Sequence, residues 1–228
     1  MSMNRDCLRY TCCLTSPVDC ARILMVLGEP KRDRIAERRT ATRREIVDAA
    51  WQVARDRGLA QVTLRDVAER VGMRAPSLYT HFASKNAIYD AMFGDAWTQF
   101  LEFSKVAEVD EPRTSRAAMR FYARVFFDFA VAFPARHQLM NLRTIPDFTP
   151  SPEAYAPAVA VMEDFIARMA RHGVRRQDDI DLFVAIVAGL VDAQLANDPG
   201  GTRWSGLLDR AINMYADNVG ITNERSRP

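Results

Sequence analysis

The chain has 228 residues, 48% hydrophobic, 26% charged and 9% aromatic, with a formal net charge of +2. That length suits one or two compact domains with adequate cores, and ten Gly and eleven Pro exclude collagen-like and low-complexity chains. No apolar run approaches the ~18–20 residues of a membrane-spanning helix. The charge is concentrated: between residues 31 and 44, Lys31, Arg32, Arg34, Arg38, Arg39, Arg43 and Arg44 stand against Asp33 and Glu37, seven to two, a local excess of +5.

All four cysteines, Cys7, Cys12, Cys13 and Cys20, precede this basic run, and the rest of the chain has none. A secreted disulfide scaffold spreads its cysteines through the body of the chain. A zinc site pairs ligands two to four residues apart, a spacing these four lack. They read as incidental thiols of an extension, so no metal and no cofactor are expected; a redox or metal sensor is the alternative. The apolar stretch 23–27 is five residues, short of a secretory core of ~7–15. The expectation is therefore a cytoplasmic, nucleoid-associated protein, with Met25 a candidate start of translation.

Beyond residue 40 the period is helical. Residues 43–57 place Ile46, Val47, Ala50, Val53 and Ala54 on one stripe, and Gly58 stops it. Thr63-Leu64-Arg65-Asp66 reads as a capping box opening a helix that buries Leu64, Val67, Ala68 and Val71 and ends at Gly72. Ala75-Pro76 suits a new helix start two residues later, over 76–81. Ser84 caps a long helix over 85–104. Further helices are predicted over 113–133, 135–143, 153–171, 177–196 and 203–219, with Pro157 delaying the start of the third by a turn. No alternating strand run is present. The fold class is all-α, with an N-terminal extension and basic arm (1–38), a helix-turn-helix domain (39–88), an all-helical domain (89–221) and a tail (222–228).

Two short helices joined by a tight Gly turn, just after a basic arm, suit duplex DNA. The second helix fits the major groove while the first and its flanks hold phosphates. An αα-hairpin inside a bundle is the alternative. The run Thr63-Leu64-Arg65-Asp66-Val67-Ala68-Glu69-Arg70-Val71-Gly72-Met73, then Pro76-Ser77-Leu78-Tyr79-Thr80-His81-Phe82 and Ser84-Lys85, resembles the TetR-type repressors over about residues 42–93. The resemblance implies that Arg74, Ala75, Pro76, Ser77 and Thr80 face base edges. Of these, Arg74 best suits guanine O6 and N7. Tyr79 and Lys85 resemble the family's phosphate contacts, with Thr42, Arg43, Thr63, Arg65 and Ser77 as further candidates. Family members often carry Lys where this chain has Ala75, which leaves fewer polar base-reading groups. His81 reads either as a phosphate contact or as a structural histidine, Thr63 as a cap first, and residues 31–39 either as a solvated flexible arm or as a groove-binding one.

Apolar faces remain on the last two helices. Leu182, Phe183, Ile186, Gly189 and Leu190, with Leu207, Ala211, Met214 and Tyr215, suit a homodimer, which the resemblance makes a four-helix bundle across a two-fold axis; filling the subunit's own core is the alternative. Met119, Tyr122, Phe126, Phe129, His137, Met140, Asn141, Tyr155, Met162 and Phe165 fit either ordinary core or an apolar pocket with sparse polar anchors. The expected partners are thus double-stranded operator DNA, a second copy of the chain and a small apolar or aromatic effector, with no membrane. The function expected is a ligand-responsive repressor. An enzyme is the competing class, but HExxH, Gly-rich phosphate-loop and GxSxG motifs are missing.

Overall fold

The computed structural model describes residues 34–221, and among them no β-strand occurs: the chain is helical, with turns, bends and a single bridge residue at Thr114. Nine α-helices follow in order: α1 Arg34–Arg57, α2 Leu64–Val71, α3 Ala75–Leu78, α4 Lys85–Ala107, α5 Ser115–Ala132, α6 Pro134–Asn141, α7 Pro152–Arg171, α8 Gln177–Asn197 and α9 Leu208–Asn218. Short 3-10 turns at Leu59–Gln61, Glu108–Asp110 and Ser205–Leu207 join some of them. The chain divides into two compact units between Thr42 and Arg43. The four cysteines, Met25, the start of the basic run at Lys31-Arg32 and the tail 222–228 lie outside the described residues.

Several expectations need correction. The first helix begins at Arg34 rather than near Arg43, so Arg34, Arg38 and Arg39 are helical and not an irregular arm. Ala36, Arg38, Arg39 and Ala41 are strong helix formers, and Glu37 in the first turn suits the positive end of the helix dipole. Helix α3 covers four residues and not six; its last carbonyls are taken by the turn, with Phe82 N–H donating to Leu78 O at 3.0 Å. Helix α9 starts at Leu208, five residues later than expected, because Ser205–Leu207 forms a 3-10 turn.

Pro157 does not delay α7, which begins at Pro152 and carries Pro157 inside it. A proline there costs only the carbonyl of exposed Glu153, four residues earlier, and water can satisfy it. The start is fixed from outside the helix. Ser151 Oγ accepts from Ala154 N–H at 3.2 Å, while Asp90 of α4 accepts from the Ser151 N–H at 2.7 Å and from its hydroxyl at 2.8 Å.

Two apolar clusters fill the described structure. The first gathers Ile46, Ala50 and Trp51 of α1, Val67 of α2, Leu78 of α3 and Phe82 around Ile88, Tyr89 and Met92 of α4, and it continues through Phe100 to Phe129 and Leu139. The second joins Met119 and Phe127 of α5 to Met169, Phe183, Val187, Val191, Leu208, Ile212 and Tyr215. Helix α4 runs without a break across the expected domain boundary at residues 88 and 89. Asp90→Ala removes an acceptor of two hydrogen bonds and untethers α7. A loss of about 1–3 kcal/mol is expected in denaturant unfolding, and an unchanged midpoint would contradict the tether.

Candidate nucleic-acid interface and internal cavity

The helix-turn-helix is built from local chemistry. Asp66 N–H donates to Thr63 Oγ1 at 3.1 Å, the Thr63 hydroxyl donates to the Asp66 carboxylate at 2.6 Å, and Arg57 closes on the same carboxylate at 2.6 Å. The Thr63 hydroxyl and then the Arg57 charge hold the Asp66 carboxyl below its ordinary value. Gly72 ends α2 at φ +74°, a left-handed conformation that a side chain adopts only with strain, and Met73 N–H returns to Ala68 O at 2.8 Å. This reversal sets α3 directly after α2.

The structure divides the predicted DNA contacts into two groups. Arg65, Arg74, Pro76, Ser77, Tyr79 and Thr80 are exposed, Tyr79 by 55%, and Ala75 is half-buried at the head of α3. Among the described residues no hydrogen bond or ion pair engages the Arg65 or Arg74 side chain, whereas the Thr80 hydroxyl donates to Ser77 O at 2.7 Å. The remainder have structural work. Arg43 donates to the His81 carbonyl and lies 4.1 Å from the Phe82 ring centre. Lys85 donates to Ala60 O at 3.3 Å and stands over the Tyr89 ring. Half-buried His81 finds no partner for Nδ1 among the described residues, and Thr63 is a cap. Thr42 lies in the first unit, half-buried on α1.

A cavity of about 150 Å³ opens among α4, α5, α7 and α8. Of the predicted pocket residues, Tyr122, Phe126, Asn141, Met162 and Phe165 line it. Met119 and Phe129 are buried in the cores instead, Phe129 packing on Phe100 and Phe133. His137 is buried beside Phe126 and binds Asp192 at 2.8 Å. Met140 and Tyr155 line a second cavity of about 260 Å³, which Asn141 also borders. Sequence reasoning missed the α4 wall, Trp97, Phe100 and Ser104, and Glu108 just beyond that helix. It also missed Arg136, a buried guanidinium between the rings of Trp51 and Phe133 at 4.8 and 4.9 Å. No local signal marks either, since aromatic residues on an apolar helix face read as core.

The predicted dimer residues also divide. Phe183 and Tyr215 are consumed by the subunit's own core, 3% and 2% exposed, and the Tyr215 hydroxyl donates to Asp179 O at 2.8 Å. Leu182, Gly189, Leu207 and Met214 are exposed, Met214 by 62%, with Ile186, Leu190 and Ala211 half-buried between them. No described helix is long and apolar enough to cross a membrane, and no group of three or more His, Cys, Asp or Glu among the described residues could hold a metal ion.

Residues 46–92, which contain this helix-turn-helix, match the family model for bacterial regulatory proteins of the tetR family. The helix-turn-helix segment of this chain is thus similar to the DNA-binding domain of the TetR-type transcriptional regulators. The chain is 28% identical over 162 residues, 68% of this chain and 78% of that protein, to a putative mycofactocin biosynthesis transcriptional regulator, MftR, of Mycobacterium tuberculosis. It is 38% identical over 60 residues to the HTH-type transcriptional repressor KstR2 of the same species, covering 26% of this chain and 30% of that protein. The fold is shared with a TetR family transcription regulator from Marinobacter aquaeolei VT8, with a TM-score of 0.59 at 16% identity over 83% of this chain and all of the other.

Tyr122, which lines the first cavity, belongs to a polar cluster with Glu111, His172 and Ser115. Tyr122 donates its hydroxyl proton to Glu111 and lies 3.1 Å from His172 Nε2, while His172 Nδ1 is 3.3 Å from Ser115 Oγ. With the tyrosine proton committed to Glu111, the consistent state is a neutral imidazole, Nε2–H donating to Tyr122 and Nδ1 accepting from Ser115. Burial pulls the His172 pKa below its ordinary value, against the opposing pull of Glu111. Burial and then the Glu111 hydrogen bond push the Tyr122 phenol up. The unfolded chain therefore takes up a proton near pH 6.5 that the folded chain refuses. Stability is expected to fall as pH drops through that value, and the fall in Tm between pH 7.5 and 5 should be shallower in His172→Gln. Identical slopes would contradict a neutral buried imidazole.

Proposed function

We propose that this chain is a homodimeric, ligand-responsive repressor. Its two helix-turn-helix units bind a palindromic operator, and a small apolar or aromatic molecule in the first cavity releases them. The observation that carries the DNA reading is the exposed rim around α3, where Arg74, Ser77 and Tyr79 stand clear of the subunit while Leu78 anchors the helix in the core. Arg74 at the head of α3 suits bidentate donation to a guanine, and the Tyr79 hydroxyl and Arg65 suit phosphate oxygens. Lys85 donates to Ala60 O, and its ammonium keeps two further N–H groups that suit a phosphate oxygen. Repression by occupying a promoter accords with relatives that are themselves named repressors.

Dimerisation is supported by the unpartnered apolar stripe of α8 and α9. Leu182, Ile186 and Gly189 follow helical spacing, and Leu207, Ala211 and Met214 repeat it on the neighbouring element. A two-fold axis through this patch lets two α3 helices enter major grooves ~34–36 Å apart. An effector then acts by preferring a form with another spacing, and only its differential affinity for the two forms counts. Helix α4 carries both the core beneath α3 and the wall of the cavity. It is the lever between them.

The test uses an operator selected from genomic fragments. Arg74→Ala is expected to cost about 1–3 kcal/mol and to relax preference at one base pair per half-site. Tyr79→Phe should weaken binding to every sequence alike. Anisotropy titrations of each variant against single-base operator variants measure both, and the reverse pattern would mean the two roles are wrongly assigned.

A further inference from the structure

The polar end of the first cavity carries more negative charge than its own arginine can balance. Arg168 spends every nitrogen on a carboxylate: Nε on Asp164 at 2.6 Å, Nη1 on Glu111 at 2.8 Å and Nη2 on Glu108. Arg171 approaches Glu111 at 3.9 Å from an exposed position. Three carboxylates, of which Glu108 and Asp164 are partly open to solvent, thus share one half-buried and one exposed guanidinium, a net charge of −1. The excess lies on the cavity side, because Glu108, Asp164 and Arg168 line the cavity. Glu108 uses only Oε1 and Asp164 only Oδ2, so among the described residues Glu108 Oε2 and Asp164 Oδ1 accept no hydrogen bond.

Much of the remaining wall is aromatic, with Trp97, Phe100, Phe121, Phe126, Phe165 and Phe183 around the same space among valines. Ring faces attract cations, and they do so more strongly where water is excluded. A cavity near 150 Å³ is the size that accepts a single benzene-class ring. An incoming carboxylate would meet an Arg168 already shared among three carboxylates, two of which, Glu108 and Asp164, line the cavity and repel it. A neutral ring would leave the two free carboxylate oxygens to water. We propose that the cavity takes a compact aromatic molecule bearing a single positive charge, its ring among the aromatic walls and its cationic head on Glu108 and Asp164. This deepens the effector-site reading given above and rests on it. The head would also draw Glu108 away from Arg168 and loosen the tie between the C-terminal end of α4 and α7.

Isothermal titration of the full chain at low ionic strength with three matched probes, 2-phenylethylamine, 2-phenylethanol and phenylacetate, tests this. The amine is expected to bind at least tenfold more tightly than the alcohol, with phenylacetate the weakest. Raising the salt from 50 to 500 mM should weaken the amine and leave the alcohol unchanged. The pair of substitutions Glu108→Gln and Asp164→Asn should bring the amine to within about threefold of the alcohol. Should that double variant fail to melt cooperatively, Asp164→Asn alone, which leaves Glu108 on Arg168, should remove part of the advantage. Equal binding of amine and alcohol, tightest binding of phenylacetate, or an amine advantage untouched by salt and substitution would overturn the charge assignment and leave the cavity as an effector site. No heat from any probe up to about 10 mM would overturn both.

Discussion

The unbroken helix α4 is the constraint on which the rest of the structure depends. Its 23 residues extend about 34 Å at 1.5 Å per residue, and its two halves serve different neighbours. Ser84 caps the start, where Ile88, Tyr89 and Met92 pack under α1 and α3 and the Tyr89 hydroxyl donates to Leu59 O at 2.8 Å. Burial holds that phenol at a pKa of about 12, so it stays a donor at any physiological pH. The later half turns Trp97, Phe100 and Ser104 to the cavity. Asp90 fastens α7 alongside, and Glu108, just beyond the helix, is fastened by Arg168 of α7. A helix held at both ends cannot shift at one without loading the other.

The same economy governs the helix-turn-helix. Basic and hydroxyl residues there are either committed to the fold or left free at the surface, and few do both. Arg43 holds the carbonyl of His81 and covers Phe82, and Thr63 with Arg57 orders Asp66 at the head of α2. Arg65, Arg74 and Tyr79 are exposed, and among the described residues no hydrogen bond or ion pair engages their side chains. That division separates substitutions that unfold the domain from those that alter only its exposed surface.

The parts legible in the sequence are those fixed by local chemistry. Thr63 as a cap, Gly72 as the turn, Ser84 as the next cap and Leu78 and Phe82 as core all follow from residue type and spacing over fewer than ten positions, and the structure has each of them. The parts that were not legible depend on distant partners. The start of α7 is set by Asp90, 61 residues from Ser151. The acidic cluster at the cavity needs Arg168 to meet Glu108 and Glu111 across 60 and 57 residues. Phe183 and Tyr215 lie on apolar helices whose sequence does not say which stripe faces inward; the subunit's own core claimed both. The cavity walls on α4 are written in the same aromatic residues as any core, so their role emerges only once α5, α7 and α8 stop short of filling the space.

The central claim is that paired α3 helices read a duplex. Sedimentation of the purified chain with a fluorescent duplex from its own upstream region, beside a scrambled duplex of equal length and at modest salt, tests it most directly. The account predicts two chains per specific duplex and an affinity for it at least a thousandfold above that for the scrambled one. A single bound chain, or equal affinity for both duplexes, would contradict it.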